Sequence, residues 1–380
     1  MTNEDFIEIV WHFCTEGTVI SVKPLGKGLI NDTFLVKTQE ADKPDYVLQR
    51  INHHIFTDVE LLQHNIEAVT KHLRCKLQAE GVADVNRRVL RFIPTNTGKT
   101  YYACPPKSET ASAKFLSENS EKIRLESSFW RMSIYIADTL TVEEVTPQSS
   151  YDCGRAFGHF QQQLTDLTEP LGETIPDFHN MELRLSQLRQ AVANDIAGRV
   201  KEVSKELELI EAHAEEMCLV EQIHRQGLLP KRICHCDTKV NNMLFDHNGN
   251  VLCIIDLDTV MPAYIFSDYG DFLRTAANSQ PEDSPELDSI EFRWDIFEAF
   301  TRGYLESTAS FLTPVEREHL PFAVALFPMM QAVRFFTDYL NGDTYYKIRY
   351  PEHNLVRTRN QLRYFQKVDA CRERMVAFVK

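Results

Sequence analysis

The amino-acid sequence predicts an α+β protein of two lobes, a small β-rich N-lobe and a larger, mainly helical C-lobe that carries one β-hairpin. Short β-like runs are concentrated before about residue 137, and amphipathic helical stretches dominate after about residue 149. Within the helical part, Asn248-Gly249 joins two apolar runs, which is the strongest short-range signal of a hairpin. The 380 residues suffice for two lobes, so we expect domains at 1–137 and 138–380.

The first lobe is predicted to contain five strands, with one helix between the third and the fourth. The helix follows Thr57-Asp58, whose side chains can cap its first turn, and apolar residues recur at helical spacing from Leu61 to Leu73. The β-like runs are residues 19–25, 33–37, 46–51, 88–93 and 129–136.

The second lobe is predicted to be helical except for the hairpin. Its apolar residues recur at helical spacing, and the sequence contains no internal repeat or coiled-coil heptad run. The amphipathic stretches are residues 155–164, 182–197, 205–226, 290–306 and 321–340.

The hairpin region carries the residues that point to chemistry. His235, Asp237 and Asn242 form the pattern H-x-D-x-x-x-x-N, which is followed by the two strands. Folding the chain back at Asn248-Gly249 places Asn242, at the start of the first strand, nearly opposite Asp256, at the end of the second. Amide and carboxylate oxygens of this kind suit Mg²⁺, which completes its shell with water and substrate phosphates.

This pattern is typical of phosphoryl transfer, in which the protein positions groups and neutralises charge. We predict that Asp237 is the catalytic residue and accepts or orients the proton of the attacking hydroxyl. Asn242 and Asp256 are the predicted ligands of a metal that bridges the phosphates of ATP. The alternative, a plain turn followed by a strand-capping Asn, is disfavoured because the hairpin brings Asn242 and Asp256 together. His235 is expected to brace the loop.

Aspartates that follow the hairpin are assigned supporting roles. Asp268-Tyr269-Gly270 is similar to the metal-binding motif of protein kinases, but it lies well beyond the strand end at which Asp256 stands. We therefore expect Asp268 and Asp271 to brace the catalytic loop, and Asp258 is a candidate ligand for a second ion.

Over nearly its whole length, the sequence resembles the aminoglycoside phosphotransferase and choline kinase superfamily, most closely the N-acetylhexosamine 1-kinases. The catalytic loop is common to many kinases, whereas the stretches at 256–262 and 350–354 are far more specific. The resemblance implies a protein-kinase-like fold and ATP-dependent phosphorylation of the anomeric hydroxyl of GlcNAc or GalNAc, giving the sugar 1-phosphate. The segments that carry it are residues 28–36, 46–52, 255–262, 268–274, 334–346 and 350–357.

The N-lobe is expected to bind ATP. The turn between the first two strands contains Gly26, Gly28 and Asn31, and its backbone N–H groups can approach phosphate oxygens. The run at 130–136 leads to the lobe junction, where such kinases receive adenine. The predicted nucleotide-binding residues are Gly26, Gly28, Asn31, Thr33, Arg50, Ser133 and Tyr135.

Two departures from the family pattern concern this lobe. The usual lysine of the third strand is missing, and Gln49 or Arg50 must serve in its place. Strand alternation allows only one of them to point inward, and charge favours Arg50. The missing lysine leaves open a catalytically silent nucleotide-binding protein, against which the intact catalytic loop argues. Residues 103–128 are longer than the expected turn, and we expect a surface excursion there.

The acceptor site is expected in the C-lobe. Sugars are held by charged and amide side chains and by aromatic faces, and Arg334, Tyr345 and His179 are suitable in kind. The resemblance favours Arg334 and Tyr345. Choline, an aminoglycoside or another sugar remains an alternative acceptor, and an aromatic cage or a cluster of acids would favour a cationic one.

Composition argues against several other classes of protein. The formal net charge of −14 disfavours a nucleic-acid or anionic-membrane partner. The first residues lack the features of a secretory leader, so a cytoplasmic location is expected. Nine irregularly spaced cysteines predict reduced thiols, and Cys234 and Cys236 lack a second pair that would complete a zinc site. We expect a monomer or weak homo-oligomer with a small-molecule sugar as its partner and no binding to membranes.

Overall fold

The computed structural model describes residues 3–26, 30–105, 127–142 and 144–380. Internal contacts divide the chain into two units, Met1–Asp138 and Thr139–Lys380. The first is built around an antiparallel sheet and the second is mainly helical, so the predicted α+β class is confirmed. Gly28 and residues 106–126 of the predicted surface excursion lie outside the described residues.

The first unit combines one sheet with helices. Its elements are α1 (Asn3–Val10), β1 (Val19–Pro24), β2 (Asp32–Thr38), β3 (Tyr46–Ile51), α2 (Val59–Ala79), α3 (Val85–Arg88), β4 (Tyr101–Cys104) and β5 (Ser128–Ile134). Among the described residues the strands follow the order β1-β2-β3-β5-β4. As predicted, α2 begins after Asp58, whose carboxylate accepts the N–H of Leu61 at 2.9 Å.

The predicted strand at residues 88–93 is wrong. That segment begins at the end of the helical turn α3, and after it the Thr95 N–H, the next donor on the side that faces β5, donates to the Lys99 carbonyl at 2.6 Å instead. Between these limits it forms only a short bridge to β5, in which the Ile93 N–H donates to the Met132 carbonyl at 2.8 Å. The remaining strand of the sheet is β4, which pairs with β5.

The second unit is mainly helical and contains two small antiparallel ladders, β6 with β9 and β7 with β8. The ladder of β7 and β8 is the predicted hairpin. The elements are α4 (Pro147–Gln163), α5 (Met181–Asn194), α6 (Ser204–Met217), α7 (Leu219–Arg225), β6 (Arg232–Cys234), β7 (Met243–Phe245), β8 (Val251–Ile254), β9 (Met261–Ala263), α8 (Phe266–Ala276), α9 (Trp294–Thr308), α10 (Pro314–Glu318), α11 (Leu320–Leu340), α12 (His353–Asp369) and α13 (Arg372–Val379).

Helix α11 forms the centre of this unit, where α5, α8 and α12 pack against it. It is the single helix in the described parts of the chain that is long and apolar enough to cross a membrane. Of its most apolar 18-residue window, 83% is buried inside the fold. Its apolar surface is therefore accounted for by packing within the unit.

Helices α4 and α9 approach each other at the level of their backbones. A Cβ added to Gly154 on α4 would overlap the carbonyl oxygen of Phe300, and one added to Gly303 on α9 would overlap that of Tyr151. Both residues lie in the middle of a helix, where glycine is less favourable than alanine by about 1 kcal/mol. Close packing of the two helices is therefore the reason for glycine at both positions.

We expect Gly154→Ala to destabilise the protein by about 1–3 kcal/mol despite its better helix propensity, because the added methyl group forces the two backbones apart. Urea unfolding followed by circular dichroism measures this change. Ser186→Ala, at an exposed position of α5, is the control and should change the free energy of unfolding by less than about 0.5 kcal/mol. Equal stability of Gly154→Ala and the wild type would contradict the close approach.

Candidate active site

The segment that follows β6 is held by the carboxylate of Asp268, which lies on α8 and is fully buried. This carboxylate accepts the backbone N–H of His235 at 3.0 Å and that of Cys236 at 2.7 Å. The side-chain amide of Gln161 on α4 donates a further hydrogen bond at 2.8 Å. Burial raises the pKa of Asp268, and these N–H donors oppose that shift. Asp268 therefore braces the loop, as the sequence predicts.

His235 is fully buried and supports the loop from inside. Its Nδ1 accepts the backbone N–H of Asp237 at 3.3 Å, and its Nε2 lies 2.9 Å from the carbonyl oxygen of Ile255. These two contacts fit a neutral imidazole with the proton on Nε2. The ring thus links the loop to the end of the hairpin, which is the bracing role that we predicted for it.

Asp237 is partly buried and has two partners on its own loop. The Asn242 amide donates to the Asp237 carboxylate at 2.9 Å and to its backbone carbonyl at 2.8 Å. The ammonium of Lys239 lies 3.1 Å from the other carboxylate oxygen. Burial favours the neutral acid, but the Lys239 cation and these hydrogen bonds outweigh it and lower the pKa of Asp237. The group is therefore a carboxylate at neutral pH, as a proton acceptor must be.

Lys239 is a site residue that our reading of the sequence missed. Its signal was a cation two positions after the loop carboxylate. Asp237 is the main cause of its raised pKa, and Asp271 and Glu282 add to that effect. Arg274, which pairs with Asp271 at 2.9 Å and with Glu282 at 2.6 Å, neutralises these two acids.

The hairpin brings the predicted metal ligands to one end. Met243 pairs with Ile254, and the Ile255 N–H donates to the Asn242 carbonyl at 2.9 Å. Asp256 follows directly in a left-handed conformation, with φ of 60°, and is exposed. The structure therefore places Asn242 and Asp256 at the same end of the hairpin.

The oxygen donors of this hairpin end fit Mg²⁺. Because the Asn242 amide nitrogen makes both contacts to Asp237, the amide oxygen is left for a cation. Within the described residues, no group of three or more His, Cys, Asp or Glu side chains is arranged to hold a metal ion. A site with few protein ligands is what Mg²⁺ with bound phosphates requires.

In the first unit, the side chains of β3 divide between the two faces of the sheet. Thr33, Gln49 and Arg131 are cross-strand partners and share one face. Gln49 donates to the Thr33 hydroxyl at 3.3 Å and accepts the Nε–H of the buried Arg131 at 2.9 Å. Ser133 is also buried and lies on this face, two residues along β5.

The structure places Arg50 on the opposite face of β3 from Gln49, next to the buried Leu48. Its side chain is 48% exposed and forms an ion pair with Asp32. The choice of Arg50 over Gln49 for the phosphates stays a prediction. Arg131, the cation on the Gln49 face, was not found from sequence because β5 gave no motif.

Other predicted nucleotide-binding residues lie around this sheet. Gly26 has φ of +70°, the left-handed conformation that favours glycine. The Asn31 side-chain oxygen accepts the Asn52 N–H at 2.9 Å and ties the turn after β1 to the end of β3. The Tyr135 N–H donates to the Asp45 carbonyl at 2.9 Å, beyond the end of β5.

The predicted acceptor residues His179 and Arg334 lie close together in the second unit. The His179 ring stacks on Phe178 at 4.3 Å, and the Arg334 guanidinium lies 4.9 Å from the centroid of Phe178. Burial lowers the pKa of His179 well below its usual range, and the cations Arg334 and Arg184 add to this effect. Asp237 acts in the opposite direction, so the imidazole lies within electrostatic reach of the catalytic loop.

Tyr345 is placed by a carboxylate at the end of α11. Asp338 accepts the backbone N–H groups of Thr344, Tyr345 and Tyr346 at 2.8–3.0 Å. The Tyr345 ring is 51% exposed and meets the Tyr346 ring edge-on. The centroid of the Tyr346 ring lies 5.9 Å from the Arg334 guanidinium. Tyr346 therefore lies between Tyr345 and Arg334.

Comparisons with known proteins concern the family and the fold of the chain. Residues 124–305 match the model of a phosphotransferase enzyme family. This match agrees with the predicted superfamily over that part of the chain, whereas the closer likeness to N-acetylhexosamine 1-kinases stays a prediction.

Three solved structures share the fold of the chain at low sequence identity. Amicoumacin kinase, in complex with AMP-PNP, Ca²⁺ and Ami, has a TM-score of 0.58 at 13% identity, over 96% of this chain and 93% of that chain. An aminoglycoside phosphotransferase from Alicyclobacillus acidocaldarius has a TM-score of 0.60 at 12% identity, over 98% and 96%. Choline kinase from Cryptosporidium parvum has a TM-score of 0.55 at 14% identity, over 98% and 97%. The kinase-like fold is thereby confirmed.

Removing the cation of Lys239 should raise the pKa of Asp237. Asp237 is proposed to act as a carboxylate, so its lowered pKa keeps it active at neutral and mildly acidic pH. Activity should be lost only as the pH falls through that lowered value. For Lys239→Met we expect the acidic limb of the turnover profile to move up by about one pH unit or more.

Turnover measured between pH 4 and 9, about the range in which most enzymes stay folded, tests this shift. Lys367→Met, which removes a cation paired with Glu291 on another surface, is the control. An acidic limb that stays in place in Lys239→Met would contradict the electrostatic role of Lys239.

Proposed function

We propose that this chain transfers the γ-phosphoryl group of ATP to the anomeric hydroxyl of an N-acetylhexosamine, giving a sugar 1-phosphate. The family match and the fold support the broader class, a small-molecule phosphotransferase of the aminoglycoside phosphotransferase and choline kinase type. The named neighbours differ in their substrates, so the choice of acceptor rests on the residues of this chain.

The observation that carries the choice is the charge of the groups near the catalytic loop. Arg334 and Arg184 make no ion pair with a carboxylate among the described residues, and both lower the pKa of His179. Two acids of the same region are engaged, since Asp237 pairs with Lys239 and Glu282 with Arg274. A local excess of positive charge disfavours choline or an aminoglycoside and suits a neutral, oxygen-rich acceptor.

In the proposed reaction, Asp237 orients the acceptor hydroxyl and accepts its proton as the oxygen attacks the γ-phosphorus. Asn242 fixes the Asp237 carboxylate through its amide N–H and would hold Mg²⁺ through its oxygen together with Asp256. The bound metal would neutralise charge on the phosphates. Lys239 keeps Asp237 ionised, so the proton acceptor is ready before the substrate arrives.

The acceptor is proposed to lie against Arg334, Tyr345 and His179. The half-buried His179 imidazole has a buried Nδ1 atom with no hydrogen-bond partner in the described parts of the chain. Its strongly lowered pKa keeps it neutral, so it can exchange a hydrogen bond with a sugar hydroxyl. Arg334 supplies N–H donors, and the exposed ring of Tyr345 offers an apolar face to the sugar.

The proposed function is tested by ADP release across a panel of acceptors with Mg²⁺ and ATP. A reducing 2-acetamido sugar is expected to be the best substrate, ahead of unmodified hexoses, choline and an aminoglycoside. Its 1-methyl glycoside is the matched control and should be inert, because the attacking hydroxyl is blocked. Phosphorylation at C6, or activity confined to choline or an aminoglycoside, would overturn the proposal and leave the kinase assignment intact.

Asp256→Ala should abolish the dependence of ATP binding on Mg²⁺, because the metal offsets repulsion between the phosphates and the acids of the site. Calorimetric titration with ATP in the presence and absence of Mg²⁺ measures this. Asp288→Ala, at an exposed position, is the control and should keep the dependence. If Asp268→Ala loses the Mg²⁺ dependence and Asp256→Ala keeps it, Asp268 is the metal ligand and the assignment of Asp256 is wrong.

Arg334→Ala and Tyr345→Ala should each raise KM for the sugar while KM for ATP changes little. A lost hydrogen bond of about 0.5–1.5 kcal/mol corresponds to roughly a twofold to twelvefold increase. Steady-state kinetics with each substrate varied in turn provides the measurement. Arg302→Ala, which removes an exposed arginine paired with Glu298 on α9, is the control. Equal increases in both KM values would exclude a direct acceptor role.

A further inference from the structure

Two arginines flank the short segment that carries His179. Arg184, in the first turn of α5, donates to the backbone carbonyls of Asp177 at 3.2 Å and Phe178 at 2.7 Å. Arg334 approaches the same segment from α11, with its guanidinium 4.9 Å from the centroid of the Phe178 ring. Both guanidinium groups therefore act on one side of the proposed acceptor site.

Arg184 is positively charged and has no acid as an ion-pair partner among the described residues. Besides the two carbonyls, its side chain donates to the Gln187 amide oxygen, and its buried Nε–H has no acceptor in the part of the chain that the structure describes. Burial, followed by the repulsion from Arg334, lowers the pKa of Arg184 to about 10. It thus stays protonated at neutral pH, in contact with backbone carbonyls rather than with a carboxylate.

The other charged and titratable groups around Arg184 do not cancel its charge. They are Arg334 on α11, Tyr345 and Tyr346 in the segment after it, and Asp177 before α5. Asp177 is the acid among these groups, and its carboxylate forms no ion pair with the guanidinium in the described part of the chain. By contrast, Arg189 on the same helix is paired with Glu211 at 2.7 Å.

We propose that Arg184 is a specificity-determining residue that, together with Arg334, excludes acceptors carrying a positive charge. Arg184 need not touch the acceptor, because like charges repel through the partly buried surroundings over about 10 Å. The choice of an N-acetylhexosamine as the test acceptor rests on the proposed function. The exclusion itself can be tested with any neutral acceptor and a cationic analogue of it. A sugar with a free 2-amino group is cationic, whereas its 2-acetamido counterpart is neutral.

The test compares kcat/KM for a 2-acetamido sugar with that for the corresponding 2-amino sugar at pH 7. The wild type should prefer the neutral sugar, and Arg184→Gln should reduce that preference by roughly tenfold, chiefly through faster use of the amino sugar. Arg184→Lys keeps the charge but not the planar guanidinium, so it should keep the preference. Arg189→Gln is the matched control on α5 and should also keep it.

A second readout separates repulsion from a purely structural effect. Because salt screens the repulsion, raising the ionic strength should lower the wild-type ratio of kcat/KM for the 2-acetamido sugar to that for the 2-amino sugar. The same change should have little effect on this ratio in Arg184→Gln. If Arg184→Gln slows both sugars equally and the ratio is unchanged, Arg184 only holds the segment before α5 and the exclusion is refuted.

The outcome also distinguishes this inference from the proposed function. If the wild type phosphorylates neither sugar but another neutral acceptor of the panel, the sugar assignment fails. The ratio of kcat/KM for that acceptor to kcat/KM for its amine analogue, measured in the wild type and in Arg184→Gln, then tests whether Arg184 excludes cationic acceptors. A wild type that prefers choline or an aminoglycoside to every neutral acceptor would overturn both.

Discussion

The geometry of the catalytic loop depends on one buried carboxylate. Asp268 accepts two consecutive backbone N–H groups, of His235 and Cys236, and Gln161 adds a donor from α4. Cys236 has φ of 63°, a conformation that costs a non-glycine residue about 1–3 kcal/mol and persists only where the surrounding structure holds it. Since a buried carboxylate is unfavourable without its donors, β6, α4 and α8 must all be in place together. The position of Asp237 is therefore a property of the whole second unit.

Charge is distributed differently over the whole chain and around the proposed acceptor site. The chain has a formal net charge of −14, yet Arg184 and Arg334 stand near His179 without carboxylate partners among the described residues. Overall charge governs solubility and encounters, whereas groups within about 10 Å decide which ligand is stable in the site. The proposed kind of acceptor therefore rests on these few neighbouring charges and not on the charge of the whole chain.

Local signals predicted the parts of the structure that depend on neighbours in sequence. The Asn248-Gly249 hairpin, the cap of α2 by Asp58 and the separation of sheet from helices are of this kind. The cross-strand partners of β3 were not, because alternation gives two faces and only the finished sheet places Arg50 beside Asp32 and Gln49 beside Arg131. Lys239 lies within the H-x-D-x-x-x-x-N pattern, but its role depends on an ion pair with Asp237 that residue spacing alone does not reveal.

The strand expected before Pro94 failed for a similar reason. Its apolar residues do pair with β5, but the Thr95 N–H donates to the Lys99 carbonyl instead of extending the ladder, and β4 takes the remaining edge of the sheet. Contacts between distant segments likewise placed Arg184 and Arg334 on either side of Phe178, and no sequence pattern links α5 to α11.

The glycine contact between α4 and α9 has a mechanical consequence for the loop. Gln161 lies two turns after Gly154 on α4, and Tyr304, next to Gly303 on α9, donates its hydroxyl to the Gln161 side chain. The side chain of Gln161 therefore connects both helices to Asp268, to which it donates a hydrogen bond. Any change that moves these helices apart is transmitted as a displacement of the catalytic loop. Heat or denaturant that loosens this crossing would therefore first disturb the segment that carries Asp237.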